Sequence, residues 1–259
     1  MCLALRLAAS VALYAGTFLW TTVGMMAAGP VYLSLRLILR MGRREAVRKL
    51  IWLYGRGWVT LAGMFMPIRR HDGNVASPCV LVANHASFFD TYFLGAQPLW
   101  NVCMALKGWP FRIPCYVWFM RAAGYLNLDE LSLEETLAAA REELANGAAL
   151  LFFPEGTRTR DGRMGRFRTG AFLIALQSAV PVVPLCFWGT RGLLPRGSWL
   201  IRPTRIAVRA LDPVRSEDVR HRPDGHILLA RRVRGIISVA LAEMATNGVP
   251  NNTLKEERT

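Results

Sequence analysis

From Leu7 to Leu35 the chain carries no charged residue, and this run limits what the protein can fold into more than any other feature. A helix needs about 20 residues to cross a bilayer, so the run is long enough to cross one or to enter it deeply. A secretory signal competes as an explanation, but its apolar region is shorter, about 7–15 residues, and is preceded by its positive charges. Here Arg6 alone stands before the run, while Arg36, Arg40, Arg43, Arg44, Arg48 and Lys49 come after it. A buried helix pair in a soluble core is the other competitor, and so many cations beside so apolar a stretch argue against it. The excess of positive charge after the run places the remainder of the chain on the cytoplasmic side. Gly29-Pro30 is expected to kink or end the first helix. Residues 31–66 are expected to form a second, apolar at its ends and basic in its middle, with Trp52, Tyr54 and Trp58 at the headgroup level. Residues 1–66 are thus expected to be a membrane-anchoring helical segment, a hairpin in one leaflet or a full crossing by its first helix.

Beyond Pro67 short strands alternate with amphipathic helices, the pattern of one α/β domain over residues 67–246 with a polar, disordered tail over 247–259. Strands are expected at 68–71, 79–83, 102–106, 148–153, 182–187 and 205–210, the last of them alternating, with a turn at Asp72-Gly73-Asn74. Pro181 and Pro184 cannot donate ladder hydrogen bonds, which predicts an edge position or the very start of a strand for 182–187. Ser132 and Glu135 form a capping box for a packing helix ending at Asn146-Gly147.

Two of these strands deliver polar loops. Cys79 to Ala83 is cut off by Asn84-His85, and Ser87 with Asp90 three places on has capping-box spacing, so a helix is expected to start at Phe88. A histidine at a strand mouth, five positions before an aspartate in the first helical turn, can give one ring N–H to the carboxylate and keep the other nitrogen as a base. The bland alternative is a capping residue worth about 1 kcal/mol beside a solvated histidine. The second loop, Phe152 to Arg158, also comes after an apolar strand-like run. Parallel strands can bring such loops together at one edge of a sheet, where ligands bind in open α/β folds.

Asn84-His85 through Asp90, then Phe153-Pro154-Glu155-Gly156-Thr157-Arg158, then Val180-Pro181-Val182-Val183-Pro184, stand in the order and spacing of the glycerolipid acyltransferase family, the 1-acylglycerol-3-phosphate acyltransferases and their relatives. The resemblance covers roughly residues 65–215. The family's second block fits worst: Gly124 to Asp129 stands in its place, but Glu130 occupies the position where an arginine is often found. The resemblance implies a mixed, largely parallel sheet flanked by helices. It also implies a membrane-bound enzyme of the bacterial inner-membrane type, moving a fatty acyl group from acyl-CoA or acyl-carrier protein to a lyso-lipid hydroxyl. His85 and Asp90 are the catalytic pair in that reading, and Asn84, Lys107, Glu155, Gly156, Thr157 and Arg158 contact the acceptor. Backbone N–H groups after Ser87 are expected to hold the developing oxyanion. No cofactor and no metal is implied.

The formal net charge of +14 calls for anionic partners, among which lipid headgroups and acidic carriers qualify. Nucleic acid has only charge in its favour, since no zinc-finger spacing, RNP motif or basic heptad region is present. Arg158, Arg160, Arg163, Arg166 and Arg168 form a basic, glycine-containing loop that either binds phosphates or is simply solvated. The cysteines at 2, 79, 103, 115 and 186 are odd in number and widely spaced, as buried thiols in a reducing compartment are. A non-catalytic, acyl-binding membrane-surface protein is the reading from another class, and it has no need for Asn84, His85, Asp90, Glu155 and Arg158 together.

Overall fold

A strand covered by helices on both faces has to be apolar throughout, and the apolar runs at 80–83, 102–106, 149–152 and 182–188 are buried on both sides. The computed structural model describes residues 3–71, 73, 75–114, 116–156, 164–194 and 198–246. In chain order it contains α1 (Leu3–Leu37), α2 (Arg43–Gly63), β1 (Ile68–His71), β2 (Val80–Ala83), α3 (Asp90–Phe93), β3 (Val102–Leu106), α4 (Tyr116–Ala122), β4 (Leu126–Asn127), α5 (Leu133–Ala145), β5 (Ala149–Phe152), α6 (Gly170–Ser178), β6 (Val182–Trp188), α7 (Thr190–Leu193), β7 (Ile206–Ala210) and α8 (Gly225–Thr246). Short 3-10 turns occupy Leu94–Ala96 and Trp109–Arg112.

The strands form one seven-stranded sheet in the order β1-β7-β6-β2-β5-β3-β4. Every neighbouring pair is parallel except β6–β7, so the sheet is mixed and largely parallel, as expected. Alternate residues feed two cores. Val80 and Val82 join Leu150, Phe152, Phe172, Val233 and Ile237 beneath α5, α6 and α8. Leu81 and Ala83 join Leu151, Trp58, Ala62 and Phe93 beneath α2 and α3.

The first helix does not stop at Gly29-Pro30. α1 continues to Leu37 with Pro30 inside it, because one missing N–H removes a single hydrogen bond from a helix otherwise intact on both sides. α1 lies along α2 through glycines: the Trp20 ring covers Gly57, where a Cβ would come within 2.0 Å of it, and Gly24 abuts Tyr54. Its outer face leaves Leu5, Phe18, Leu19 and Met26 exposed, and by length and composition the helix is sufficient to cross a membrane. α2 has a different role from α1. Trp58 and Ala62, together with Met66 just beyond the helix, are buried against Leu81 and Phe93, so residues 1–66 and 67–246 share one hydrophobic core.

Two local expectations fail for tertiary reasons. β6 is an interior strand, flanked by β2 and β7. Pro184 is tolerated there because its carbonyl takes Leu211 N–H at 2.9 Å just where β7 leaves the ladder, the last registered pair being Leu185 with Ala210; antiparallel pairing resumes only at Val182 with Val214, so its missing donor falls in the gap between. β7 does not alternate either: four of its five residues are buried, since helices cover both sheet faces. The capping box of α5 is present as expected, Ser132 Oγ accepting from Glu135 N–H at 3.2 Å and Glu135 Oε2 from Ser132 N–H at 2.8 Å. Of the turn expected at 72–74, residues 72 and 74 lie outside the described residues, as does the tail from Asn247.

Candidate active site

β2 and β5 are adjacent and parallel, with Val82 opposite Phe152, so the loops after them emerge side by side at the carboxyl edge of the sheet. Asn84 continues β2 with its side chain. Its Nδ2 donates to the Phe187 carbonyl at 2.9 Å and its Oδ1 accepts from Phe187 N–H at 2.8 Å, which is a ladder rung made by a carboxamide. Both polar atoms of Asn84 are thus engaged by β6, which ties the start of the histidine loop to the neighbouring strand.

Asp90 is fully buried, and a single oxygen organises the turn. Oδ2 accepts from Ala86 N–H at 2.7 Å, from Ser87 N–H at 2.8 Å and from His85 Nδ1 at 3.0 Å. A carboxylate already accepting two main-chain donors is an acceptor toward the ring as well, so Nδ1 carries the proton and Nε2 is the basic nitrogen of the neutral imidazole. Nε2 has no partner among the described residues. Only one half of the expected capping box forms, Ser87 N–H donating to Asp90 Oδ2. The helix begins at Asp90 itself, because the carboxylate folds back over the loop and Ser87 Oγ accepts only from Phe89 N–H, at 3.3 Å. The N–H groups expected at an oxyanion site are accordingly divided: those of Ala86 and Ser87 belong to Asp90, that of Phe89 to Ser87, and that of Phe88 donates to nothing among the described residues.

Glu155 joins the two loops. Oε1 accepts from the His85 N–H at 2.9 Å and Oε2 from the Gly165 N–H at 2.9 Å. It ties the main chain of the histidine turn to the far end of the basic loop. Pro154 carbonyl accepts from Arg168 N–H at 2.9 Å, and Arg234 of α8 donates to the carbonyls of Met164 and Gly165, so this loop is closed at its base. Gly156 has a φ of +69° and its Cβ position lies 3.0 Å from Arg168 Nε; a side chain there would be both strained and crowded. Thr157, Arg158, Arg160 and Arg163 lie outside the described residues.

His85, Phe153, Gly156, Arg168, Lys107 and Asp129 line one cavity of about 1130 Å³. The Phe153 ring lies 4.4 Å from the imidazole, centroid to centroid. Away from these polar groups the cavity is lined from α1, α2 and α4 (Gly24, Leu50, Tyr54, Phe119) and from the β4, α5 and α6 region (Leu131, Thr136, Ile174). Lys107, expected from the sequence, is brought in, while Arg168 is the described arginine of the basic loop that reaches the cavity. Asp129 was legible only as part of the second block; its Oδ2 accepts from Gly108 N–H at 2.9 Å, which fixes the turn after Lys107. Cys79, Cys103 and Cys186 are free and buried, and Cys2 and Cys115 lie outside the described residues. Among the described residues no group of side chains has the makeup of a metal site.

Residues 50–188 match the family described as Acyltransferase. A 1-acyl-sn-glycerol-3-phosphate acyltransferase of Pseudomonas aeruginosa is 30% identical over 207 residues, 76% of this chain and 75% of that one. A chloroplastic 1-acyl-sn-glycerol-3-phosphate acyltransferase of Brassica napus is 42% identical over 125 residues, 47% of this chain and 36% of its own length. The chain thus spans little more than a third of the length of that relative. In fold it is similar to the crystal structure of a 1-acyl-sn-glycerophosphate acyltransferase from Thermotoga maritima, with a TM-score of 0.72 over 93% of this chain and 98% of that one at 24% identity.

Proposed function

As the chain belongs to the acyltransferase family, we propose that it moves a fatty acyl group from a thioester donor, acyl-CoA or acyl-carrier protein, to the free hydroxyl of a lyso-lipid at a membrane surface. In this reading the acceptor is 1-acylglycerol-3-phosphate and the product phosphatidic acid, as the names of the relatives support. The observation that carries it is the His85–Asp90 pair at 3.0 Å, with Nε2 unpartnered on a large, mostly apolar cavity that also holds Lys107 and Arg168.

The acceptor hydroxyl attacks the thioester carbonyl as Nε2 of His85 takes its proton. Asp90 keeps the ring in that tautomer and stabilises the imidazolium. The new C–O bond forms and the carbonyl oxygen becomes negative, with the Phe88 N–H left as a main-chain donor for it. Collapse breaks the C–S bond, and the imidazolium returns the proton to the departing thiolate. No acyl-enzyme is needed. Lys107 and Arg168 hold the acceptor phosphate, and the apolar lining of the cavity takes the acyl chains. α1 anchors the protein, with the α/β part on the cytoplasmic face of a bacterial inner membrane.

His85→Ala and Asp90→Ala in the purified full-length protein are expected to abolish transfer while leaving vesicle association intact; turnover retained by His85→Ala would overturn the mechanism. A panel of lyso-lipids, run with both donor types, identifies the substrates. Asp129 on the cavity wall, followed in sequence by Glu130 where an arginine is often found, favours a second acceptor bearing an amine, such as a lyso-ornithine lipid, and the same panel tests it.

A further inference from the structure

α4 reads Tyr116-Val117-Trp118-Phe119-Met120-Arg121-Ala122, and not one of its residues is buried. A helix this apolar in a water-soluble surface would turn a face into the core; this one does not. Tyr116, Phe119 and Met120 line the cavity, which Gly24, Met25 and Val31 of α1 also line. Trp118 is not among the lining residues and is 81% exposed, while Trp109, in the 3-10 turn just before, is 52% exposed. Arg112 and Arg121 are exposed and form no ion pair among the described residues.

We propose that the turn Trp109–Arg112 and α4 form a second membrane-contacting element, seated at the headgroup–acyl boundary of an anionic bilayer, so that they and α1 are two lips of a cavity mouth opening sideways into lipid. Three observations select lipid as the occupant. The apolar surface of α4 meets the same cavity as α1, whose own outer face is long and apolar enough for a membrane. Exposed tryptophan, with an apolar ring and one N–H donor, is favoured at the membrane–water interface. The two unpaired arginines complement anionic headgroups. The consequence is that the turn and α4, and not α1 alone, seat the cavity against the bilayer, which gives α4 a role that its lack of burial leaves open. The kinetic arm of the test rests on the acyltransferase reading; the fluorescence arm does not.

The full-length protein is reconstituted in vesicles of phosphatidylethanolamine and phosphatidylglycerol, with or without brominated acyl chains, as wild type, Trp118→Phe and Trp118→Asp. Bromine quenches tryptophan at short range, so the quenched emission of wild type should exceed that of Trp118→Phe by the contribution of residue 118. Trp118→Asp should lower turnover of a vesicle-embedded lyso-lipid about tenfold, with Trp118→Phe near wild type, and leave turnover of a short-chain, monomeric lyso-lipid in solution unchanged. Equal quenching in wild type and Trp118→Phe would overturn the proposal, whether because residue 118 faces water or because a second copy of the chain covers it. So would an equal loss on both substrates, or no loss on the embedded one. If no lyso-lipid is acylated but the quenching difference appears, the membrane surface stands and the acyltransferase reading falls.

Discussion

A buried polar oxygen is costly unless donors satisfy it, and Asp90 Oδ2 is held by three: two main-chain N–H groups and the His85 ring. The same oxygen therefore shapes the turn and sets the tautomer. Asp90→Asn keeps the volume but removes the charge, and its amide can present an N–H where the ring needs an acceptor. kcat is expected to fall by about 10²–10⁴, the size of a general-base contribution, as steady-state kinetics would register. Glu155 separates a positioning role from an acceptor-binding one. Its carboxylate faces the main chain of His85 and Gly165, so Glu155→Gln should lower kcat and leave KM for the acceptor nearly unchanged. A large rise in KM with kcat preserved would return Glu155 to the substrate.

At the scale of elements, the site depends on how closely α2 approaches the segment after α3. A Cβ on Gly95 would lie 2.3 Å from the Gly55 carbonyl carbon and 2.4 Å from the Arg56 nitrogen, both backbone atoms with no room to yield. Gly95→Ala is expected to destabilise the protein by about 3 kcal/mol, seen as a lowered Tm in detergent. Gly235, in α8 with nothing within 4 Å of its Cβ position, is the control: Gly235→Ala should stabilise by about 0.5–1 kcal/mol, since alanine loses less backbone freedom in a helix. The contrast separates close packing from helix propensity.

Over the whole molecule, the two helical layers are joined at the end of the sheet opposite His85. Arg48 of α2 is 3% exposed; its Nη2 pairs with Glu143 of α5 at 2.7 Å, its Nε donates to the Ala123 carbonyl and its Nη1 to Asn101 Oδ1. Asn101 and Ala123 stand just before β3 and β4, so this network fixes the amino ends of those strands while their carboxyl ends carry Lys107 and Asp129. Removing one partner of a buried pair leaves an uncompensated charge, and Glu143→Ala is expected to cost about 3–5 kcal/mol in denaturation measurements. The same closed interior makes Cys79, Cys103 and Cys186 inert. Burial pushes each thiol up to about 12, so at pH 8 almost none is thiolate. Alkylation and then peptide mass spectrometry should show all three unmodified until the protein is unfolded.

The amino-acid sequence by itself determined the elements and the chemistry that sits between them. Strands 68–71 and 102–106 form with the bounds expected of them, the Ser132–Glu135 cap forms as spaced, and His85 and Asp90 meet, because each of these depends on residues only a few positions apart. What the sequence could not supply was anything set by a partner distant along the chain. The engagement of Asn84 with Phe187, the turning of Glu155 onto the His85 main chain, the interior place of β6 despite Pro184, and the packing of α2 on the sheet were all decided by the tertiary structure. A carboxamide, a carboxylate or a proline has the same local preferences wherever it stands; which donors and which strand face it is settled only when the sheet closes around it.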